Sequence, residues 1–219
     1  MNKNLTEMVF ILDMSGSMSH LTDDTIGGYN SLLNEQKKQE GDANVTTVLF
    51  DDRYILLHDR KNIKKVKELT TKDYMPCGRT AMLDAVGKTI VSVGQKLAAM
   101  KEEDRPCNVV VTIITDGMEN SSVEYTWDKK TMIKEQREKY SWIFTFIGAN
   151  IDVKKVSEDL GIDSRLSKKY TASKVGTDSV FRAMCDTVSF SRKAASTRSS
   201  SADIESEMSA MNDIMDDIK

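Results

Sequence analysis

Residues 8–20 read MVFILDMSGSMSH and join an apolar run to a dense group of oxygen-bearing side chains. The run from Met8 to Leu12 is continuous rather than alternating, which is typical of a strand covered on both faces of a parallel sheet. It ends at Asp13, and Ser15 and Ser17 follow within four residues, with Gly16 between them to permit a tight turn. The stretch therefore predicts a buried strand whose carboxyl end carries a polar binding loop.

Other short apolar runs alternate with helical patterns along the chain. The runs are Val45 to Phe50, Ile55 to Leu57, Cys107 to Ile114 and Trp142 to Ile147, with a weaker one at Leu166 to Thr171. Apolar residues at helical spacing lie between them, most clearly from 82 to 100. This alternation predicts a doubly wound α/β domain with a mostly parallel sheet and helices on both faces. Only residues 51–53 separate the second and third runs, so one strand should be antiparallel and lie at an edge.

Polar residues from three distant stretches are predicted to meet at one edge of this sheet, because ligands bind at the carboxyl ends of its strands. Asp116 follows a buried strand in VTIITDGMEN, and Thr80 precedes an amphipathic helix in CGRTAMLDAV. Each piece alone also fits a helix cap or a plain turn. Their repetition on one edge favours a site. The candidate ligands are Asp13, Ser15, Ser17, Thr80 and Asp116.

Carboxylates and hydroxyls without histidine or thiolate are hard ligands, which favour Mg²⁺, Mn²⁺ or Ca²⁺. Mg²⁺ takes about six oxygens and this set supplies at most five, so one position should stay open. The two carboxylates balance the charge of a divalent cation but leave no excess negative charge at the site. The bound metal would therefore still attract an acidic side chain from a partner protein.

Composition limits the other classes of function. Thirty-one basic residues nearly balance 34 acidic ones, so no global field attracts nucleic acid or anionic lipid. No apolar run approaches the length of a signal peptide or membrane span. Three cysteines without metal-ligand spacing indicate reduced thiols in a cytoplasmic protein. A monomer is expected from one recognisable core.

The motifs DMSGS, GRTAMLDAV and TDG together resemble the von Willebrand factor A (VWA) domain and its metal ion-dependent adhesion site (MIDAS), over Glu7 to Arg192. The chain looks like a small stand-alone bacterial or phage type. The resemblance implies a six-stranded sheet with Mg²⁺ on its top, the hydroxyls binding directly and the aspartates in part through water. Arg79 departs from the small residue usual there, and either recruits a carboxylate or faces solvent. We expect Arg79, Gly16, Gly78 and Gly117 to form the partner-binding surface.

Three functions follow as hypotheses. The first is a non-enzymatic, metal-dependent protein–protein interaction module that binds an exposed Asp or Glu of its partner. The second is a Mg²⁺-dependent phosphoryl hydrolase with Asp13 as nucleophile, although Ser15 stands where a general acid is usual. The third is a regulatory subunit whose acidic tail caps a metal site through Glu205 or Asp213.

The chain is predicted to divide into a VWA domain at 1–192 and a tail at 193–219. The tail begins with a serine-rich stretch typical of a linker. Five apolar residues at helical spacing follow among acids: Ile204, Met208, Met211, Met215 and Ile218. This helix either docks on its own domain or is half-disordered, or it is buried by a partner.

Overall fold

The computed structural model describes residues 1–126, 131–198 and 200–219. The strands are β1 (Asn2–Asp13), β2 (Asp42–Phe50), β3 (Tyr54–Asn62), β4 (Pro106–Thr115), β5 (Ile143–Gly148) and β6 (Ser167–Lys169). The helices are α1 (Thr22–Lys38), α2 (Met82–Ala98), α3 (Thr131–Tyr140), α4 (Val153–Leu160), α5 (Lys174–Thr197) and α6 (Ser201–Met215). Within the described ranges, no helix combines the length and apolar character needed to cross a bilayer.

The six strands form one sheet in the order β3-β2-β1-β4-β5-β6. All neighbours are parallel except β2 and β3, which form an antiparallel hairpin at one edge. The predicted six-stranded, mostly parallel sheet with one antiparallel edge strand is confirmed. The hairpin follows from the three-residue connection, which is too short for the crossover that a parallel pair requires.

Side chains on the central strand alternate between two hydrophobic cores. Met8, Phe10 and Leu12 pack with α1, α5 and α6, whereas Val9 and Ile11 pack with α2, α3 and α4. Both faces of β1 are therefore buried, which explains why its sequence is continuously apolar. The doubly wound arrangement places the carboxyl ends of β1, β4 and β5 along one rim.

The edge strand β3 is longer than its apolar run. The sequence predicts Ile55 to Leu57, but pairing continues to Asn62 through the polar residues HDRKN. Buried Glu7 of β1 bonds Arg60 here, with 3.0 Å between Oε2 and Nε. Polar residues are usual on an edge strand, so apolar runs underestimate its length.

The serine-rich stretch differs from its prediction as a linker. Helix α5 continues to Thr197, so residues 193–197 are helical, and α6 begins at Ser201 with a Ser200 capping box. All three methionines predicted on this helix are buried against the α1 and α5 side of the core: Met208, Met211 and Met215. In this structure the acidic terminal helix therefore docks on its own domain.

Buried polar contacts also hold α6 in place. The Glu207 carboxylate, which is 3% exposed, accepts from Ser191 Oγ at 2.6 Å and from Arg198 Nη2 at 2.5 Å. Asn108 of β4 joins the same network through Ser191. Because these groups are withdrawn from water, their pairing fixes one position of α6 against α5 and the sheet.

Candidate metal site

The ends of two adjacent parallel strands bring the aspartates together. Asp13 is the last residue of β1, and Asp116 directly follows β4. Leu12 and Ile114 are partners in the register of these strands, so Asp13 emerges beside Thr115, the residue that directly precedes Asp116. Asp13 and Asp116 are 1% and 2% exposed, respectively, which places both carboxylates below the surface of the rim.

Hydrogen bonds link the first loop to Asp116. Ser15 Oγ and Ser17 Oγ are 3.1 Å apart, and Ser17 Oγ donates to Asp116 Oδ1 at 2.5 Å across 99 positions of sequence. Asp13 is held separately: Ser15 N donates to Oδ1 at 2.7 Å and Thr115 Oγ1 donates to Oδ2 at 2.5 Å. Each Asp13 oxygen keeps a second lone pair, which suits binding to a cation through water.

The Thr80 hydroxyl faces the same point from the other side. A Cβ added at Gly117 would lie 3.3 Å from Thr80 Oγ1 and 3.5 Å from Ser17 Oγ. Thr80 is 3% exposed and is clamped by Asn120, whose Oδ1 accepts from Thr80 N and whose N donates to Thr80 O, both at 3.0 Å. The structure therefore brings all five predicted ligand side chains into one cluster.

The loop that carries Thr80 is tied to the other rim loops by backbone contacts. Cys77 N donates to Met14 O at 3.0 Å, Gly16 N donates to Gly78 O at 3.2 Å, and Ala81 N donates to Asp51 O at 2.9 Å. Gly78 has a φ of 67°, and a Cβ there would meet Asp52 Oδ1 at 2.1 Å. Glycine is favoured at this position by its backbone conformation, whereas the exposed Asp52 side chain could move away from an added Cβ.

A second clasp joins the loop after β4 to the start of α2. The Asp84 carboxylate accepts from the backbone N–H groups of residues 123, 124 and 125 at 2.8–3.1 Å. In return, Glu119 Oε2 accepts from Leu83 N and Ser122 Oγ accepts from Asp84 N. These contacts satisfy amides at a helix N-terminus and fix the loop that contains Gly117.

The four residues predicted to contact a partner lie around this cluster. Arg79, Gly16 and Gly78 are exposed, and Gly117 is half-buried beside Thr80. Arg79 directly precedes the candidate ligand Thr80 and extends from the exposed side of its loop. These positions are compatible with the predicted role, which stays a prediction.

Sequence reasoning missed three residues that shape the cluster. Thr115 donates a hydrogen bond to the Asp13 carboxylate, and Asn120 accepts one from Thr80 N. The hydroxyl of Tyr74 donates to Asp13 O at 2.5 Å. Thr115 could have been suspected because it adjoins Asp116. Asn120 and Tyr74 carried no local signal, since their roles depend on loops that meet only in the folded chain.

The donor set fits a hard divalent cation. Asp116 Oδ2 is buried and has no hydrogen-bond partner, which is costly for a carboxylate unless a cation compensates it. Burial raises the pKa of Asp13 from 3.8 to about 6, and the neighbouring Asp116 carboxylate adds to this rise. Two buried acids with one unpartnered oxygen, beside three hydroxyls, match the ligand preferences of Mg²⁺, Mn²⁺ or Ca²⁺.

Replacing Gly117 with Ala should weaken metal binding without unfolding the protein. The added Cβ would push the Thr80 hydroxyl by a few tenths of an ångström, and Mg²⁺ tolerates little change in geometry. We expect about tenfold weaker Mg²⁺ binding by calorimetry. Gly94→Ala is the matched control, because its Cβ meets nothing within 4 Å in α2. It should add roughly 0.5–1 kcal/mol of stability and leave Mg²⁺ affinity unchanged; equal affinities for the two variants would contradict this geometry.

No protein-family model matches the chain, and no curated protein sequence is significantly similar to it. The likeness is to solved structures. Proximal thread matrix protein 1 from the mussel byssus, with a zinc-occupied MIDAS motif, is 16% identical with a TM-score of 0.59, over 84% of this chain and 46% of that one. Manganese-loaded TRAP protein of Plasmodium vivax is 14% identical with a TM-score of 0.54, over 80% and 72% of the two chains.

A von Willebrand factor type A structure from Catenulispora acidiphila is also similar, at 14% identity and a TM-score of 0.52, over 82% of this chain and 42% of that one. The chain spans less than half the length of the first structures in this comparison, those from the mussel byssus and from Catenulispora. At these identities the comparisons establish the fold. The chain has a VWA-like fold, as the sequence motifs predict.

Proposed function

We propose that this chain is a metal-dependent protein–protein interaction module that binds an exposed Asp or Glu of its partner through a divalent cation. Asp13, Ser15, Ser17, Thr80 and Asp116 would hold the cation, which supplies an electrophilic position for the partner's carboxylate. The observation that carries the proposal is the Ser17–Asp116 bond beside the buried, unpartnered Asp116 Oδ2. The Ser17–Asp116 bond joins side chains from distant loops beside a buried carboxylate oxygen that has no hydrogen-bond partner.

The charge and the exposure of the cluster suit recognition of an acid. Its two carboxylates would neutralise a divalent cation without giving the site a net negative charge, so a further carboxylate would not be repelled. Ser17 and Arg79 are exposed, so the cluster is open to a macromolecule. Two similar structures are described as manganese-loaded or zinc-occupied, which supports a divalent metal, with Mg²⁺, Mn²⁺ or Ca²⁺ as the candidates here.

The contacts at Asp13 do not favour the hydrolase. Asp13 is 1% exposed, and the bonds from Ser15 N and Thr115 Oγ1 hold its carboxylate below the surface, whereas a nucleophilic carboxylate needs one oxygen directed at the substrate. We therefore propose a role without catalysis.

The contacts of the tail do not favour its acids as a cap on the metal. Glu205 pairs with Arg165, with 2.6 Å between Oε1 and Nη1, and α6 docks on the α1 and α5 side of the core. A monomeric, cytoplasmic protein without nucleic-acid partners stays a prediction from composition.

Titration with Mg²⁺ in a thermal-unfolding assay tests the metal. Because a ligand that binds only the folded state stabilises it, a free Mg²⁺ concentration 100 times Kd should add about 2.7 kcal/mol. For a chain of this size, that corresponds to a rise in Tm of roughly 5–10 °C. EDTA should reverse the rise. A Tm that is insensitive to Mg²⁺, Mn²⁺ and Ca²⁺ would refute the proposal.

The effect of Mg²⁺ should depend on pH. Since burial raises the folded-state pKa of Asp13 to about 6, folding favours its protonated form. The contribution of Asp13 to the stability of the metal-free protein is complete below pH 4 and is lost as the pH rises through 6. A cation requires the ionised form. We therefore expect Mg²⁺ affinity to fall about tenfold between pH 7.5 and 5 by calorimetry; a constant affinity over this range would contradict proton competition at Asp13.

A further inference from the structure

A surface groove begins at the candidate metal site and continues away from it. The groove has a volume of about 1430 Å³ and is lined by residues 117–119, by α4 with the loop before it, and by β6. Gly117 and Asn150 belong to both features: Gly117 adjoins the Thr80 and Ser17 hydroxyls, and Asn150 Nδ2 donates to Asp116 O at 3.3 Å. Any chain segment that places a carboxylate at the metal can therefore continue directly into this groove.

Three lysines stand at the end of the groove that adjoins the rim. Lys154 and Lys155 lie in the first turn of α4, and Lys169 is the last residue of β6. All three are exposed, and none forms an ion pair with another residue in the described parts of the chain. Cations in the first turn also oppose the helix dipole, so α4 does not gain stability from Lys154 and Lys155.

The carboxylates on the lining form no ion pair with these lysines in the described parts of the chain. Glu119 accepts backbone N–H bonds at the start of α2, and Asp152 caps α4 through Lys155 N at 3.1 Å. Asp159 lies in the last turn of α4, and because α4 runs back from the rim, this residue is at the far end of the groove. The rim end therefore presents three ammonium groups without an acidic partner among the described residues.

Apolar side chains border the same end of the groove. Met118 is 70% exposed, and Met82 and Ile151 form part of the wall beneath it. An exposed methionine beside buried apolar groups offers an adaptable contact surface for a partner's side chains or backbone. The groove thus combines a metal-binding end, positive charge and apolar surface.

We propose that this groove binds an extended, acidic segment of the partner, in which further Asp or Glu residues follow the one that binds the metal. The inference rests on the proposed function and extends it to a sequence preference. The sheet sets the spacing: Thr115, Gly148 and Lys169 are successive register partners, so Lys169 is two strand spacings, roughly 10 Å, from Thr115. An extended chain covers this distance in about three residues.

Labelled peptides with this spacing test the inference by fluorescence anisotropy in Mg²⁺ at physiological salt. The glutamate peptides are Gly-Asp-Gly-Gly-Glu-Glu-Gly and its reversed sequence. In the single-aspartate peptides both Glu residues are replaced by Gly, and in the lysine peptides both are replaced by Lys. We expect one of the two glutamate peptides to bind about tenfold more tightly than the single-aspartate peptide, since each exposed ion pair contributes modestly. The lysine peptides should bind more weakly than the single-aspartate peptide.

The triple variant K154E/K155E/K169E should lose the tenfold gain and keep its affinity for the single-aspartate peptide within about threefold, because salt screens more distant charge. K64E/K65E/K67E changes the net charge equally with exposed lysines outside the groove, and it should retain the gain. Equal affinities for glutamate and glycine peptides, or a gain that survives in the groove variant, would overturn the inference and leave the proposed function intact.

Two further outcomes separate the hypotheses. If the single-aspartate peptide binds equally in Mg²⁺ and EDTA, or not at all, the proposed function fails and the inference fails with it. If an oligo(dT) probe binds in EDTA and loses affinity in the groove variant, the lysines serve a nucleic acid, and the acidic-peptide inference is overturned. The acidic-peptide inference is supported if the wild type shows the tenfold, Mg²⁺-dependent gain for a glutamate peptide and does not bind oligo(dT).

Discussion

Asp116→Asn is expected to abolish the stabilisation by Mg²⁺ while leaving the protein folded. The amide is nearly isosteric and its oxygen can still accept from Ser17, but one of the two negative charges facing the cation is lost. Because charge dominates the binding of a divalent cation at a largely desolvated site, we expect at least about 100-fold weaker Mg²⁺ binding. Mg²⁺-dependent capture of aspartate peptides should disappear with it.

The metal-free variant provides an internal check. Asp116 Oδ2 is buried without a partner and the Asp116 charge raises the pKa of Asp13, so removing the charge relieves repulsion. In EDTA, the Tm of Asp116→Asn should equal or exceed that of the wild type. Asp23→Asn, at an exposed position in the first turn of α1, should keep the full response to Mg²⁺. An undiminished rise in Tm with Mg²⁺ in Asp116→Asn would exclude the site.

Met211→Ala is expected to destabilise the whole domain by about 3 kcal/mol, in the range of 2–5 kcal/mol measured when large core side chains are truncated. Met211 is fully buried between α6 and the core, so its truncation leaves a cavity that α6 cannot fill. The corresponding loss in Tm is roughly 6–12 °C. Chemical denaturation monitored by circular dichroism measures this as a single transition.

Met75→Ala is the matched control, since Met75 is 60% exposed and its truncation should change stability by less than about 0.5 kcal/mol. The comparison decides between the two hypotheses for the tail. If Met211→Ala is as neutral as Met75→Ala, α6 is not an integral part of the domain, and its methionines are available to a partner.

The sequence predicted the fold well where apolar periodicity is strong. The continuous run ending at Leu12 and the hairpin spacing at residues 51–53 led to a parallel sheet with an antiparallel edge strand, as observed. Boundaries were less accurate where residues are polar. Helix α5 continues through residues 193–197, because serine and threonine there remain compatible with a helix that packs Ala195 into the core.

The candidate site was predictable as a set of residues, since strand ends and turn motifs place Asp13, Thr80 and Asp116 on the same rim. Its supporting contacts were not. Asn120 clamps Thr80 and Asp84 binds three amides of the following loop, yet neither residue follows a periodic pattern that indicates this role. Such contacts join irregular loops, whose conformation depends on the elements that they connect.

The sequence by itself determined the order of the strands along the chain, the continuously buried strands and the oxygen-bearing residues at the rim, because these follow from local periodicity and turn chemistry. Only the tertiary structure decided that Asp116 Oδ2 is buried without a partner and that the groove with Lys154, Lys155 and Lys169 adjoins the same rim. Both features arise from long-range packing: desolvation and the juxtaposition of charges depend on which loops meet, and no local pattern encodes that.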